Sequence, residues 1–512
     1  MSSVALATSV WILLLAGGLY GLRLRFARAK LPLPPGPTKL PLVGHLFTVP
    51  SAFEWETYQK WSRRYNSDII HLDVAGTSVI VLSSLEAAST LLEKRSAIYS
   101  DRPSQPMLID LIGWGFHIGE LTAYSLRKHR RLFHEGFNVA ESRKFQPKEL
   151  AATRKLLLRL LRTPDDFRMH LKQMTGEVII SIAYGIEVLP VDDPYIVLAE
   201  QAAQVGHIAA IPGRFLVDWI PLLKHVPDWF PGADFKRQAK ESRKFAQAMY
   251  DVPFAETKRQ LASGTAPHSF ATASLQHLEE GGEKYYDEDT IKATSASMYL
   301  AGSHSTVTAL MNFVIAMLVN PAAQKKAQAE IDSVIGKSRL PSFEDESALP
   351  YVSALVKEVL RWRTVAPLGA PHLSTTDDEY RGYRIPAGST IYANIWAILH
   401  DEAVYPDPFN FEPERFLLNG KLNPEIPDPQ VTFGFGRRIC PARYMAASSV
   451  WIVIASILSS FEITKAVGED KRVIEPLFAF TSGIVSAPLP FECSIRPRSK
   501  AAVALVEATA KE

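Results

Sequence analysis

Apolar residues recur at helical spacing along most of this 512-residue chain. Amphipathic runs that end in helix breakers predict helices over roughly 84–95, 126–140, 150–163, 171–185, 236–262, 287–319, 321–336, 350–363 and 443–461. Two β-rich runs around Gly76 predict a hairpin over 69–82, and 380–396 has a similar pattern interrupted by a turn. The sequence therefore predicts a mainly α fold with small β-sheets.

The longest predicted helix, 287–319, contains a polar interruption in the middle of an apolar run. Asp287 and Asp289 are candidate caps at its start, and it would span about 50 Å. The segment "LAGSHSTVTAL" at 300–310 places small and polar residues where the helix should cross the protein interior. Because unpaired polar groups are costly there, hydrophobic packing alone does not explain this segment.

The first residues predict a membrane anchor. The uncharged run 4–22 is about the length that crosses a bilayer as a helix. Four basic residues follow it, at Arg23, Arg25, Arg28 and Lys30. This order places the rest of the chain in the cytoplasm and is unlike that of a cleaved signal peptide, whose charges precede the apolar run.

A proline-rich stretch follows the anchor, "LPLPPGPTKLPLVG" at 31–44, and is typical of a stiff spacer. With no internal repeat after it, the expected organisation is an anchor with its basic flank over 1–30, a neck over 31–44 and a single catalytic domain over 45–512.

Composition excludes several classes of protein. With 47% hydrophobic residues the chain is neither disordered nor fibrous, and its net charge of +2 does not indicate nucleic-acid binding. The only cysteines, Cys440 and Cys493, are too few for a disulfide framework and are consistent with a reducing compartment.

The segment "FGFGRRICPARYMA" at 433–446 surrounds one of these cysteines. Gly434 and Gly436 permit a tight backbone, and Cys440 stands just before a predicted helix. A thiolate in that position can ligate haem iron, whereas a zinc site would need three further ligands nearby. Taken alone, the segment favours a buried structural cysteine over a metal ligand.

The full string resembles the haem-binding signature of the cytochrome P450 family. Phe433, Gly436, Arg438 and Cys440 match the signature, and Ala442 stands where the family usually has glycine. The resemblance implies the P450 fold behind the transmembrane helix, with haem b (iron protoporphyrin IX) bound by the thiolate of Cys440.

Other segments resemble further motifs of the same family. Glu358 and Arg361 in "LVKEVLRW", with Arg415 in "PERF", correspond to its structural lock beneath the haem. The neck and the stretch 394–416 look most like the membrane-bound enzymes of fungal secondary metabolism. Outside this context, a Glu and Arg three residues apart are usually a solvated helix pair.

Basic residues cluster in "LRKHRRLFH" at 126–134, which could also be a solvated helix face. By resemblance, Arg130, His372 and Arg438 bind the haem propionates, although Leu126 replaces the tryptophan of the family's motif at 126–130. The other basic residues here and in the cysteine loop are expected to steer an acidic flavoprotein reductase; they are Lys128, Arg131 and Arg437.

By resemblance, the predicted central helix passes over the haem. Gly302 would open it for dioxygen, while Ser305 and the neighbouring Thr306 would supply alcohol groups to the oxygen site. His304 stands in the place of the family's acid. Two interpretations of His304 stay open: a substitute proton relay, or a histidine held in a hydrogen-bonded core pocket.

The family's distal pocket would be lined here by apolar and aromatic residues that could equally be core. They are Met107, Leu108, Ile112, Trp114, Phe116, Ile208, Phe215, Met298, Val365, Leu368, Phe480 and Ile484. The resemblance therefore implies a lipophilic substrate, such as a terpenoid or polyketide. Asp110 and Glu120 in the first segment leave an amine substrate open.

The expected function is that of a haem-dependent monooxygenase of fungal secondary metabolism on the endoplasmic reticulum membrane. It would use dioxygen and electrons from NADPH–cytochrome P450 reductase, with cytochrome b5 open as a second donor. A reductase-independent peroxygenase, isomerase or dehydratase of the same fold is an alternative. So is a non-catalytic haem protein, because Leu126, His304 and Ala442 all depart from the family's pattern.

Overall fold

The computed structural model describes residues 31–41, 43–211, 214–281 and 285–511. The predicted anchor over 4–22 and its basic flank over 23–30 lie outside the described residues.

Helices form most of the described fold. The longer ones are α1 (Glu54–Arg64), α4 (Ala123–Phe137), α6 (Gln146–Arg162), α7 (Phe167–Ala183), α8 (Pro194–Ala209), α10 (Asp234–Ala262), α11 (Phe270–Glu279), α12 (Glu288–Val319), α13 (Pro321–Val334), α14 (Pro350–Trp362), α16 (Arg443–Ser460) and α17 (Lys500–Ala508). The shorter ones are α2 (Leu85–Ala88), α3 (Ser96–Tyr99), α5 (Val139–Lys144), α9 (Leu216–Trp219) and α15 (Ile395–Leu399). The mainly α prediction is confirmed, although among the longer helices α1, α8, α11 and α17 have no counterpart in the prediction.

Short turns of 3₁₀ or π helix connect these elements. The π turns are Ser89–Lys94 and Met107–Ile112, and the 3₁₀ turns are Pro164–Asp166, Pro221–His225, Phe343–Ala348, Pro413–Phe416, Pro429–Phe433, Gly436–Arg438 and Thr509–Lys511.

The largest described sheet contains four strands in the order β1-β2-β6-β3. These are β1 (Ile69–Val74), β2 (Thr77–Leu82), β3 (His372–Leu373) and β6 (Thr390–Ala393). The predicted hairpin is confirmed, since β1 and β2 pair antiparallel from Ile69 opposite Leu82 to Val74 opposite Thr77. The other strands form two-stranded sheets; they are β4 (Asp378–Tyr380) with β5 (Tyr383–Ile385), β7 (Leu417–Leu418) with β8 (Lys421–Leu422), and β9 (Phe461–Lys465) with β10 (Cys493–Pro497).

The hairpin interpretation of 380–396 is only partly right. The turn occurs early, at Arg381 and Gly382, where β4 and β5 pair. After β5 the chain leaves this small sheet, and β6 joins the large sheet parallel to β2, with Val79 opposite Thr390. Alternation of apolar residues indicates a strand but not its partner, so the pairing of β6 with β2 could not be predicted from this segment of the sequence.

The polar interruption does not break α12, which runs without a gap through residues 300–310. The Ser303 hydroxyl donates to the Tyr299 carbonyl oxygen, and the Ser305 hydroxyl to that of Ala301 at 2.9 Å. Because these hydroxyl groups donate to carbonyl oxygens of their own helix, placing them inside the protein costs little free energy. At the start of α12, the Asp287 side chain caps it by accepting from the Thr290 N–H at 2.8 Å.

Two described helices, α12 and α16, are long and apolar enough to cross a bilayer. Both are mostly buried inside the protein, where α12 packs against α7, α8 and α16. They are therefore core helices of this fold.

Candidate functional site

Two adjoining cavities form a slot between α12 and the segment that leads into α16. They have volumes of about 1070 and 1050 Å³, counting space open to solvent. Five residues line both cavities: Ser305, Thr306, Arg438, Cys440 and Ala446. The polar centre of α12 and the predicted cysteine ligand therefore face the same space from opposite walls.

The cysteine loop keeps its shape through glycine and backbone bonding. The Cys440 N–H donates to the Phe433 carbonyl oxygen at 2.7 Å, and Phe433 lines the slot. Gly436 has φ +52°, and a Cβ there would lie 2.1 Å from the Leu92 carbonyl oxygen. Gly436 therefore lets the loop pack against the π turn Ser89–Lys94 and does not itself line the slot.

The two cysteines differ in their surroundings. Cys440 lines both cavities, whereas Cys493 lies buried in β10 opposite Lys465 and lines neither. Burial raises the pKa of the Cys493 thiol to about 12. Burial also raises the pKa of the Cys440 thiol, but there the Ala442 N–H, Arg130 and Arg443 oppose the shift. Only Cys440 is placed to present sulfur to a group in the slot.

Basic side chains line one edge of the slot. Arg438 donates to the carbonyl oxygens of Ser100 at 2.7 Å and Ile118 at 3.2 Å, and Arg130 donates to that of Ile439. Neither arginine forms an ion pair with a described carboxylate. Their charges are therefore available to an acidic group placed in the slot.

His372, the third predicted propionate residue, also lines the slot. Its Nδ1–H donates to the Tyr99 carbonyl oxygen at 2.8 Å. Burial, with a contribution from Arg102, lowers the pKa of His372 to about 3. It therefore faces the slot as a neutral imidazole.

Sequence reasoning missed Arg102, a buried arginine behind this edge. Its Nε donates to the Gly119 carbonyl oxygen at 2.6 Å, and Nη1 to that of Ala370 at 3.1 Å. It thereby ties the chain around residue 119 to the segment before β3. Nothing in "SDRP" distinguishes it from an ordinary surface arginine, because both contacts are distant in sequence.

His117 was also missed, and it lines the slot directly. Its Nδ1 accepts from the Gly119 N–H at 3.2 Å, and a Cβ at Gly119 would lie 2.7 Å from that nitrogen. Burial, and next Arg102, lower the pKa of His117 to about 4. With Nδ1 accepting, the neutral ring carries its proton on Nε2 and is a hydrogen-bond donor.

Three of the four predicted catalytic residues come together on the α12 wall. Gly302, Ser305 and Thr306 all line the slot. His304 lies on another face of the helix and lines neither cavity; its ring centroid is 4.7 Å from that of His207 on α8. Burial lowers the pKa of His304, and its relay role stays a prediction.

The predicted structural lock is present as a buried charge cluster. Arg361 donates to both oxygens of Glu358, at 2.7 and 2.8 Å, and both side chains are fully buried. Arg415 donates to Glu358 Oε1 at 3.2 Å. The Glu412 N–H also donates to this carboxylate, at 2.8 Å. The cluster therefore joins α14 to the segment that precedes the cysteine loop.

The predicted docking residues differ in their present partners. Lys128 lies 3.7 Å from an Asp287 carboxylate oxygen, and Arg131 stacks on the Tyr285 ring, 3.9 Å from its centroid. Arg437 is exposed on the cysteine loop. Arg131 and Arg437 are thus both exposed, whereas Lys128 is half-buried.

Of the predicted substrate-pocket residues, Met298, Val365 and Leu368 line the slot. The others lie in the core or elsewhere on the fold, as Phe116 does when it stacks on Tyr250. The two candidate acids of that segment do not line the slot either. Asp110 pairs with Lys224 at 2.7 Å, and the buried Glu120 accepts from Gln105.

The donor set fits a haem. The slot offers one cysteine sulfur on a wall and, at its edge, two arginines that form no ion pair with a described carboxylate. The sulfur could ligate the iron of a haem, and the arginines could bind its two propionates. No group of three or more His, Cys, Asp or Glu side chains in the described part of the chain could hold a metal ion on its own.

Comparisons with known proteins agree. The family model described as Cytochrome P450 matches residues 34–494. Cytochrome P450 monooxygenase 98 of Postia placenta is 45% identical, over 94% of this chain and 94% of its own length. Cytochrome P450 monooxygenase ple1 of Rhodocybe pseudopiperita is 42% identical, over 93% and 91%. Tryptamine 4-monooxygenase of Psilocybe cyanescens is 38% identical, over 95% and 97%.

Proposed function

The chain belongs to the cytochrome P450 family and is a haem-thiolate monooxygenase, and we propose that Cys440 is the axial ligand in oxidation of a lipophilic small molecule. The observation that carries the proposal is the shared position of Cys440 and Ser305, which line the same two cavities from opposite walls. The catalytic unit would be one domain over 45–512.

Bound haem supplies the activation of dioxygen, helped by electron donation from a cysteine thiolate. The protein side of the reaction belongs to α12 and the edge of the slot. Ser305 and Thr306 offer hydroxyls on the distal wall, Gly302 leaves that wall without a side chain, and Arg130 and Arg438 would hold the propionates. The buried Glu358 cluster would keep the cysteine loop in register beneath the haem.

Features of the slot support a largely apolar substrate that already carries a neutral oxygen. Its walls are formed by side chains such as Met298, Val178 and Leu368. His117 adds a neutral Nε2–H donor, which suits a carbonyl or hydroxyl oxygen. Such groups are common on terpenoid and polyketide skeletons.

An amine substrate is less well supported for the slot, although one relative acts on tryptamine. The charged residues that line it in the described part of the chain are arginines, and no carboxylate does. A protonated amine would therefore lack a counter-ion beside the haem. The neck and the stretch 394–416 support a role of this oxidation in secondary metabolism.

We place the enzyme on the endoplasmic reticulum membrane, with the catalytic domain in the cytoplasm and residues 1–30 as its anchor. Exposed apolar side chains just after the neck and in the segment after α9 support membrane contact. Phe47 is 77% exposed, Leu222 77% and Trp229 80%. Electrons would come from NADPH–cytochrome P450 reductase, with cytochrome b5 as a second candidate, docked near Arg437, Lys128 and Arg131.

The test compares Cys440→Ser with the matched variant Cys493→Ser in the full-length protein. Cys440→Ser should lose the Soret band typical of thiolate-ligated ferrous–carbon monoxide haem, and Cys493→Ser should keep it. A normal band in Cys440→Ser would refute the assignment.

Wild-type protein is then supplied either with NADPH and reductase or with hydrogen peroxide alone, and products are profiled by mass spectrometry. Oxygenated product that requires NADPH and reductase supports the proposed electron source. Equal turnover with peroxide alone would favour the reductase-independent reaction.

A further inference from the structure

A second cavity lies on the other side of the large sheet from the haem slot. This sheet cavity encloses about 1260 Å³, counting space open to solvent. It is bounded by the sheet, by the C-terminal end of α8 and by α9, which contributes Asp218 and Trp219.

The strands themselves separate the two spaces. On β3, His372 lines the haem slot and the adjacent Leu373 lines the sheet cavity. On β6, Ala393 lines the haem slot and the adjacent Tyr392 lines the sheet cavity. This follows from the alternation of side chains across a sheet. A ligand in the sheet cavity would therefore lie apart from the haem.

The described lining of the sheet cavity carries negative charge and no positive charge. Asp218 is the only charged side chain among the described residues that line it, and no described Lys, Arg or His lines it. Asp218 Oδ1 accepts from the Met107 N–H at 2.9 Å, which fixes the orientation of the carboxyl group. No described residue donates a hydrogen bond to Oδ2 or forms an ion pair with Asp218.

Burial raises the pKa of Asp218 to about 6, against the lowering effect of the Met107 N–H. At neutral pH the group is therefore mainly ionised, in surroundings that disfavour its charge. A cation beside Oδ2 would relieve this cost.

Three aromatic side chains line the same cavity as the acid. They are Tyr58, Trp219 and Tyr392. Aromatic faces attract cations, and a desolvated organic cation gains most from them. The Trp219 Nε1–H is buried without a hydrogen-bond acceptor among the described residues, so this wall also has an unused donor. The remaining lining is mostly aliphatic, with Leu72, Val74 and Val79 on the strands.

We propose that the sheet cavity binds an organic ammonium ion on a small apolar body, with its nitrogen at the Asp218 carboxylate. The aromatic residues would contact the groups around the nitrogen, and the aliphatic strand residues would contact the apolar body. Binding at this site does not require the haem, so the proposal is independent of the proposed oxidation.

The probe is (3-phenylpropyl)trimethylammonium, compared with the neutral analogue in which carbon replaces the nitrogen. A quaternary nitrogen has no lone pair, so the probe cannot ligate the haem iron. Binding is measured by isothermal titration calorimetry on the full-length holoprotein at pH 7.5. We expect the cation to bind about tenfold more tightly than its neutral analogue.

Asp218→Asn should abolish this preference while keeping an oxygen that accepts from the Met107 N–H. The matched control is Asp110→Asn, an acid on a neighbouring element that is paired with Lys224 and lies outside the cavity lining. It should keep the preference. Trp219→Leu, as a second variant that retains the acid, should weaken binding of the cation several-fold.

Several results would overturn the proposal. They are absence of cation binding, equal affinity for cation and neutral analogue, an unchanged preference in Asp218→Asn, or displacement of the probe by an azole that ligates the haem. A normal carbon monoxide spectrum in each variant verifies that the fold and the haem site are intact. Loss of that spectrum in the wild type would instead count against the proposed function.

Discussion

Gly302 on α12 faces Ile179 on α7 so closely that a Cβ at residue 302 would lie 2.7 Å from Ile179 Cγ1. Close packing of α7 against α12 therefore requires glycine at position 302. This requirement is separate from the space that glycine leaves beside the oxygen site. We expect Gly302→Ala to lower the free energy of unfolding by about 1–3 kcal/mol, measured by urea denaturation.

A double-mutant cycle with Gly302 and Ile179 separates the effect of helix packing from the effect of oxygen access. Ile179→Ala removes the contacting atoms, so the two substitutions together should cost less than the sum of their separate effects. Gly115→Ala is the matched control, because its Cβ would meet only Ile109 Cγ2 at 3.5 Å. Strict additivity of the Gly302 and Ile179 effects would contradict the packing explanation.

The lock cluster gives a second prediction. Arg361→Met leaves the buried Glu358 carboxylate without its bidentate partner, so we expect a loss of about 3–5 kcal/mol in unfolding free energy. Haem content after purification should fall with it. Arg381→Met, which removes exposed pairs with Asp68 and Glu86, should cost no more than about 1 kcal/mol. Similar losses of unfolding free energy in Arg361→Met and Arg381→Met would show that burial of the Glu358 cluster does not determine its contribution to stability.

The oxygen site gives a third prediction. Because Ser305 lines the slot, Ser305→Ala should lower product formed per NADPH consumed several-fold, with carbon monoxide binding unchanged. Unaltered coupling would remove Ser305 from the oxygen site.

His304 is tested against its neighbour. If His304 relays protons, His304→Ala lowers coupling and His207→Ala does not. Equal loss in both variants would assign His304 to the packing of the α8–α12 contact, where the two rings meet.

Glu149 gives a prediction about pH. Its carboxyl group is buried between α6 and α16, and burial raises its pKa from 4.5 to about 7 against donation by the Ser448 and Ser449 hydroxyls. A raised folded-state pKa means that the fold favours the protonated form, so stability is lost as pH rises from about 4.5 to 7. Glu149→Gln should therefore stabilise the fold more at pH 8 than at pH 5, by about 2 kcal/mol.

Chemical denaturation at the two pH values measures this difference. Glu344→Gln, which removes an exposed acid, is the matched control. An equal effect of Glu149→Gln at both pH values would contradict the raised pKa.

Local sequence predicts the parts of this protein whose determinants are local. The long amphipathic helices follow from periodicity, and Cys440, Arg438 and Ser305 follow from short strings with family resemblance. The helix α8 was missed because its buried face is made of small residues such as Ala199, Ala203 and Gly206, which give little amphipathic contrast.

His117 and Arg102 could not be predicted because distant contacts create their roles. The segment after His117 is held by Arg438 through the Ile118 carbonyl and by Ser297, whose hydroxyl accepts from the Ile118 N–H at 3.0 Å. Each of these partners is far away in sequence. Without the folded chain, a histidine in an irregular segment looks like a surface residue.

The wall formed by β3 and β6 has a practical consequence for finding ligands. Compound collections for haem enzymes are often screened by shifts in haem absorption, which report on molecules close to the iron. A compound held behind the wall, beside Tyr392 and Asp218, would leave that absorption unchanged. A screen that reads heat or protein fluorescence would detect both kinds of ligand, and the compounds that it alone detects would belong to the far side of the sheet.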